Sequence, residues 1–423
     1  MFEKINYYKP LSMIVFINII AYAFLAFKNT PYNWHAFLPC FSILGMICIS
    51  YIVILKKKLG EGYLFLIVSM LLSIGIMMIY RLNPDLAIKQ IIWMFIGIIV
   101  FFATYHSYFK IKNWDKYTKF YIGVPVVLYI LTLIFGTTIN GAKNWIIIAG
   151  HSFQPLELSK ILYVFFLGCY FKSPDKLFLK NSNYSHKNRI IINRLLLMLI
   201  TYLHIGFLIL QREWGTIALL LLVYLFILYI FSEDKNFLNL NCGLIFPTVL
   251  IGYMFFYHVR VRVEVWLNPW EDILGKGYQI AQSLFAIGSG GFFGTGLGMG
   301  KPYMIPESST DFIFSAICEE MGTLTGAAIV LLYMLLCYRA FKIALNIKDR
   351  FEKVVVLGLT LMIGIQTCTI IGGVIKLIPL TGTTLPFVSY GGSSLVSSFI
   401  ILGVLQAISN GDFSSEGETY GCK

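Results

Sequence analysis

The stretch GYLFLIVSMLLSIGIMMIY, residues 62–80, runs for nineteen residues without a charge and is bounded by Glu61 and Arg81. At about 1.5 Å of rise per residue, a helix of this length covers the roughly 30 Å hydrocarbon core of a bilayer. Comparable apolar runs follow one another along almost the whole chain, near 11–27, 36–55, 62–80, 91–109, 119–137, 158–171, 194–211, 215–231, 241–258, 312–338, 354–376 and 389–409. The composition agrees, since 58% of the 423 residues are hydrophobic and 13% charged, against roughly 25% charged in a soluble domain. The expected fold class is therefore all-α: a polytopic transmembrane helix bundle of about 12 helices. The run at 158–171 is short for a span, so its start is expected to reach back into the preceding loop. The first run lacks a small-residue cleavage site and is followed by a second of full length, which reads as a retained anchor.

The formal net charge of +12 raises the question of an anionic partner, and the placement of the basic residues answers it. Most of the 33 Lys and Arg lie in alternate loops, at Lys56–Lys58, Lys110–Lys119, 172–194 and Arg339–Lys353. Cytoplasmic loops carry such an excess, so both termini are expected in the cytoplasm. The opposite face then receives 81–90, 138–157, 259–311 and 377–388, segments too elaborate for bare connectors. Within the longest, IAQSLFAIGSGGFFGTGLGMGK (280–301) is apolar yet broken by glycines. It is expected to dip into the membrane as a re-entrant element shielded by neighbouring helices, the alternative being a glycine-rich surface loop. The tail from 411 to 423 reads as disordered and cytoplasmic.

Ionisable side chains near membrane depth are costly, and their retention points to function. They gather toward one face: Arg81, Asp85, Lys89, Lys143, Glu157, Lys160, Arg212, Glu213, Arg260, Arg262, Asp311, Glu319 and Glu320. Asp311 sits between PESST and FIFSAI, where Ser309 or Thr310 is placed to cap the following helix with Asp311 in its first turn. Two readings stand open. The carboxylate either complements the positive helix end, worth ~0.3–1 kcal/mol, or acts as a general base on the hydroxyl of a bound acceptor. Glu319 and Glu320 fall about two turns further along the same helix, and one is expected to pair with a basic residue inside the bundle. Lys143, Trp145 and Lys160 bracket GAKNW…QPLELSK, where cations suit a pyrophosphate; equally, Trp and Lys anchor helix ends at headgroup depth. Seven of the cysteines lie in or beside apolar runs and form no CxxC pair, so they read as small buried hydrophobes. With scattered histidines and no nucleotide-binding fingerprint, no cofactor or metal is called for by a motif. A divalent cation assisting a leaving group stays open.

Four blocks, NGAKNWIIIAGHSFQPLELSK (140–160), GYQIAQSLFAIGSGGFFGTGLG (277–298), STDFIFSAICEEMG (309–322) and LPFVSYGGSSL (385–395), resemble in order the signature blocks of the SEDS family, which includes FtsW, RodA and SpoVE. The resemblance extends over roughly 70–410. It implies a ten-helix catalytic core, here 61–410, preceded by two additional helices in 1–60. It further implies a peptidoglycan glycosyltransferase polymerising lipid II, the undecaprenyl-pyrophosphate-linked disaccharide peptide, at the outer face of the bacterial cytoplasmic membrane, alongside a class B penicillin-binding protein transpeptidase. The essential carboxylate of the TDFIF block maps to Asp311, and Trp145 and Lys89 carry over as substrate-binding residues. Lys143, Lys160 and Arg260 join them as cations for the leaving group. One departure stands out: where the family has QPDLGT, this chain has Gln211-Arg212-Glu213-Trp214-Gly215-Thr216, keeping an acid and adding a base. Two other readings of the same charges are a flippase for the lipid-linked precursor and a non-catalytic scaffold of a cell-wall synthesis complex.

Overall fold

The structure, a computed structural model, describes residues 8–27, 34–139, 141–148, 150–174 and 185–420. Part of the basic loop expected at 172–194 lies outside the described residues. Helices follow in the order α1 (Tyr8–Phe27), α2 (Phe37–Lys56), α3 (Gly62–Leu82), α4 (Pro84–Lys110), α5 (Thr118–Phe135), α6 (Leu156–Lys172), α7 (His186–Gln211), α8 (Trp214–Phe231), α9 (Lys235–Phe255), α10 (Tyr257–Leu267), α11 (Tyr278–Gly290), α12 (Ile313–Asn346), α13 (Arg350–Val374) and α14 (Gly392–Tyr420). Among the described residues, eleven helices are long and apolar enough to cross a membrane: all of these except α6, α10 and α11. The expected membrane bundle is thus present.

The chain divides into two compact units, one drawn from residues 1–106, 264–339 and 367–423 and the other from 107–263 and 340–366. In the first unit α1 and α2 pack on each other and on α3, and α3 meets α14. Most of α3 is buried, as its uninterrupted apolar circumference requires. The outward faces of α1 and α2 present Phe16, Phe24, Phe41 and Ile49, apolar side chains suited to lipid. Helix α14 continues beyond Gly411 to Tyr420, into the stretch expected to be disordered; once nucleated, a helix gains one bond for each residue it adds.

In the second unit α5 packs on α6 and α7, and α8 packs on α9. Helix α6 begins at Leu156, two residues before the apolar run. Its side chains are almost all buried, which explains its shortness: a helix enclosed by others need not match the bilayer. Gly168 makes this possible, because a Cβ there would stand 2.9 Å from Val355 Cγ2 on α13, and small residues let helices approach closely. Helix α9 starts at Lys235, six residues before its apolar run, because the Asp234 carboxylate accepts from the amides of Asn236 and Phe237 and holds a polar first turn.

Segment 138–157, expected to be more than a bare connector, takes part in a small antiparallel sheet of β1 (Thr137–Ile139), β2 (Ala142–Ile148) and β3 (His151–Phe153) in the order β1-β2-β3. Ile139 pairs with Ala142 and Ile148 with His151. Gly141, just before β2, and Gly150, just before β3, stand at φ +85° and +79°, left-handed values that glycine adopts without steric cost.

Candidate active site

Asp311 belongs to the first unit, and three of the four signature blocks meet around it there. The amide of Tyr390 donates to the Ser309 carbonyl at 2.9 Å. Ser389 Oγ donates to the Thr310 carbonyl at 2.6 Å. Gln90, fully buried on α4, donates to the Ser389 carbonyl at 3.2 Å and accepts from the Gly391 amide at 3.2 Å. From the other side, Ser283 of α11 shares a 2.7 Å hydrogen bond with Ser315 and donates to the Val374 carbonyl at 2.9 Å. Residues 309–315 are therefore held by hydrogen bonds from both the 385–391 and the 277–298 blocks. Asp311 itself is half-buried.

The capping arrangement expected for Asp311 is not the one observed. Helix α12 begins at Ile313 with no acid in its first turn, and Asp311 precedes it by two residues. Thr310 Oγ1 turns back to the Glu307 carbonyl and carboxylate, at 3.2 and 3.0 Å. Ser389 and Tyr390 occupy the carbonyls of Thr310 and Ser309. The loop is thus organised by the 385–391 block, not by a helix cap.

The helix expected at 312–338 is also not continuous. Gly322, at φ 82° and ψ 163°, breaks α12 into a short segment, 313–321, and the long helix that follows. Glu319 and Glu320 end the short segment. Glu320 pairs with Arg81 at 3.1 Å with its own side chain fully buried, as expected for one of the two acids, while Glu319 accepts from the Lys301 amide at 2.7 Å. The glycine-rich stretch expected to dip into the bilayer is helical over Tyr278–Gly290 and then runs beside the break. The Thr295 and Gly296 amides donate to the carbonyls of Glu319 and Glu320, and those of Thr323 and Leu324 donate to Gly291 and Phe292. These bonds satisfy the backbone groups that the break takes out of the helix.

Lys89 is exposed on α4, one residue before Gln90. Sequence reasoning does not single out Gln90 or Ser389; the available signal for the first was an amide side chain at the edge of a membrane-length apolar run.

The remaining expected site residues belong to the second unit. Lys160 is buried on α6, with its ammonium 2.8 Å from Glu157 and 3.4 Å from Gln366. Lys143 donates to the Leu133 carbonyl at 2.6 Å, satisfying the last turn of α5. Trp145 lies on β2, half-buried, opposite Thr137. Arg260 is exposed, donates to the Met254 carbonyl at 2.9 Å and lies 6.0 Å from the centre of the Tyr253 ring. Glu213, the acid of the Gln211–Thr216 stretch, accepts from Asn144 of the first signature block. Burial pushes its carboxyl up to about 7, against the opposing pull of Arg262, Lys160 and the Asn144 hydrogen bond. Among the described residues no group of three or more His, Cys, Asp or Glu could hold a metal.

The family model for FtsW, RodA and SpoVE, described as cell cycle protein, matches residues 61–412. A peptidoglycan glycosyltransferase RodA from Mycobacterium tuberculosis is 34% identical over 362 residues, covering 82% of this chain and 77% of the relative. The stage V sporulation protein E of Bacillus subtilis is 34% identical over 372 residues, covering 84% and 98%. A probable peptidoglycan glycosyltransferase FtsW from Geobacter is 32% identical, covering 82% and 97%, so identity does not separate the three kinds. Among solved structures, a chain described in terms of coordinated polymerization and crosslinking by a peptidoglycan synthase complex superposes with a TM-score of 0.68 at 24% identity, over 84% of this chain and 98% of that one. The crystal structure of the rod shape determining protein RodA from Thermus thermophilus gives 0.58 at 23%, over 83% and 96%. The chain is a multi-pass membrane protein belonging to the FtsW, RodA and SpoVE family of cell cycle proteins.

Proposed function

We propose that this protein is a peptidoglycan glycosyltransferase that polymerises lipid II into glycan strands at the outer face of the cytoplasmic membrane, with Asp311 as general base. The observation that carries the reading is the convergence of the 277–298, 309–322 and 385–395 blocks on the loop that presents Asp311. In the reaction the 4-hydroxyl oxygen of the acceptor sugar attacks the anomeric carbon of the donor. The new C–O bond forms as the bond to the donor phosphate breaks, and its electron pair leaves with undecaprenyl pyrophosphate. Asp311 takes the hydroxyl proton, and a base of this kind contributes roughly 10²–10⁴-fold.

Lys89, exposed and in the unit that carries Asp311, is the cation we assign to the departing pyrophosphate. The substrate contact expected of Trp145 rests on the sequence resemblance, and those of Lys143, Lys160 and Arg260 on their charge and outer-face placement. For Lys160 the pairing with Glu157 and Gln366 favours a role in holding the second unit together. With α6 counted as a span the number of crossings is even, in keeping with both termini in the cytoplasm. The partner we assign is a class B penicillin-binding protein transpeptidase, and residues 1–60 stand outside the catalytic core.

The test is glycan formation from purified lipid II by wild type and by Asp311→Asn, each with the transpeptidase. The substitution keeps size and polarity and removes the basic carboxylate, so glycan ladders should fall roughly 10²–10⁴-fold while melting temperature and partner binding persist. Near-normal ladders from the folded variant would remove Asp311 from the chemistry. Translocation of lipid II by the wild type without polymer would point to a flippase.

A further inference from the structure

We propose that Arg81 and Glu320 form a positioning clamp for Asp311, acting through the short helix 313–321. The inference rests on the assignment of Asp311 as general base.

Arg81 stands at the end of α3, and its guanidinium serves three acceptors at once. Nε meets Glu320 Oε1 at 3.1 Å, while Nη2 donates to the carbonyls of Gly298 and Gly300 at 3.0 and 3.3 Å. Glu320 closes the ring from the other side, accepting the Gly298 amide on Oε2 at 2.6 Å. The planar guanidinium matches this geometry, whereas an ammonium is a point charge and cannot fork. Four further backbone hydrogen bonds tie residues 291–296 to 319–324 on either side of Gly322. No room is left for slack: a Cβ on Gly294 would stand 2.3 Å from the Glu320 carbonyl, and one on Gly290 would stand 2.1 Å from that of Cys318.

The consequence lies at the other end of the short helix. Residues 313–321 form a short rod, with the clamp at its C-terminal end and Asp311 just beyond its N-terminal end, the helical part from 313 to 320 spanning about 10 Å. Because Gly322 breaks the helix, the rod does not inherit its orientation from the long helix that follows. Its direction is set by the clamp and by the contacts of Ser315, Thr310 and Ser309. A small tilt at Glu320 is carried to Asp311, and a misplacement of about 1 Å can cost on the order of 10²-fold in rate. Arg81 is thus a positioning residue for the base.

The experiment compares wild type with Arg81→Lys, Arg81→Ala, Glu320→Gln and the double variant Arg81→Ala with Glu320→Gln. Initial rates of glycan formation are measured against the concentration of purified lipid II, with hydrogen exchange followed in peptides covering 294–301 and 309–312. The clamp predicts that kcat falls by at least about tenfold in Arg81→Ala and Glu320→Gln with KM little changed. Arg81→Lys should recover part of the rate, and the double variant should be no worse than Arg81→Ala alone. Exchange should quicken in both peptides. Should Arg81→Ala fail to fold, Arg81→Lys and Glu320→Gln give the same readings. Faster exchange confined to 294–301, or unchanged kcat in a folded variant, would overturn the clamp. A wild type that makes no glycan would instead overturn the proposed function, and exchange at 309–312 would still decide whether the clamp holds the loop.

Discussion

Replacing Gly322 with alanine should damage the protein far more than one methyl group normally does. The residue stands at φ 82° and ψ 163°, a region in which L side chains cost ~1–3 kcal/mol. Its new Cβ would also lie 2.3 Å from the Phe292 carbonyl oxygen, 2.5 Å from the Phe293 carbonyl carbon and 2.6 Å from the Gly294 nitrogen. All three neighbours are main chain, so no side chain can swing aside. Relieving the overlap means separating strands joined by Thr323 N to Gly291 O and Leu324 N to Phe292 O, each such bond contributing about 1 kcal/mol. Together these give a loss of roughly 3–5 kcal/mol.

Gly288→Ala is the matched control. Gly288 lies within α11 and a Cβ there meets nothing within 4 Å, so helix propensity alone should make the change neutral or favourable by up to ~1 kcal/mol. Both variants would be melted in the same detergent, with glycan synthesis measured beside them. Gly322→Ala should melt well below wild type and lose activity, while Gly288→Ala keeps both. If the two melt together, the break in α12 is not fixed by the close approach described, and the rod that presents Asp311 loses its anchor.

Three other outcomes are expected. Glu213 has its carboxyl raised to about 7 from 4.5, chiefly by burial, so its native state binds more protons than its unfolded state between those values. Its contribution to stability is full below about pH 4.5 and is lost as pH rises through about 7; Glu213→Gln should abolish this trend, and an unchanged pH dependence of melting would refute the assignment. A single cysteine at Ser308, in a background without the native cysteines, should react with an impermeant reagent in intact spheroplasts. Labelling only after lysis would reverse the proposed topology. Removal of residues 1–60 should leave a correctly inserted protein that still polymerises lipid II with its partner, and loss of activity in a well-folded truncation would show that these helices serve catalysis.

Most of the helical frame was legible because membrane helices announce themselves locally. The apolar runs 62–80 and 215–231 became Gly62–Leu82 and Trp214–Phe231, since the bilayer sets both length and composition. Ends carrying polar turns were not legible in this way: α9 begins at Asp234's cap and α12 runs on to Asn346 beyond its apolar stretch. The strands within 137–153 were not legible although Asn140-Gly141 is a strong hairpin signal, because the strands are only three to seven residues long and their pairing depends on one another. Gly322 was missed because the run ICEEMGTLTGAAIVLL is plausible helix on both sides, and only the neighbouring chain shows why the backbone turns there.

The candidate site divides along the same line. Asp311, Lys89 and the two glutamates could be picked out singly, since charges at membrane depth are conspicuous in an apolar sequence. Their relations could not, because each depends on contacts between residues far apart in the chain. Arg81 and Glu320 are separated by 239 positions, and Ser389 and Thr310 by 79. Consecutive positions such as Glu319 and Glu320 point in directions about 100° apart on a helix. That rule explains why the two acids serve different groups, Glu320 meeting Arg81 and Glu319 the amide of Lys301. It does not reveal that both face one glycine-rich segment, which follows from the break at Gly322. In a helix that continued straight, the carbonyls of Glu319 and Glu320, which now accept from Thr295 and Gly296, would have been spent within the helix. The glycine at 322 and the acids before it therefore make sense only as a set.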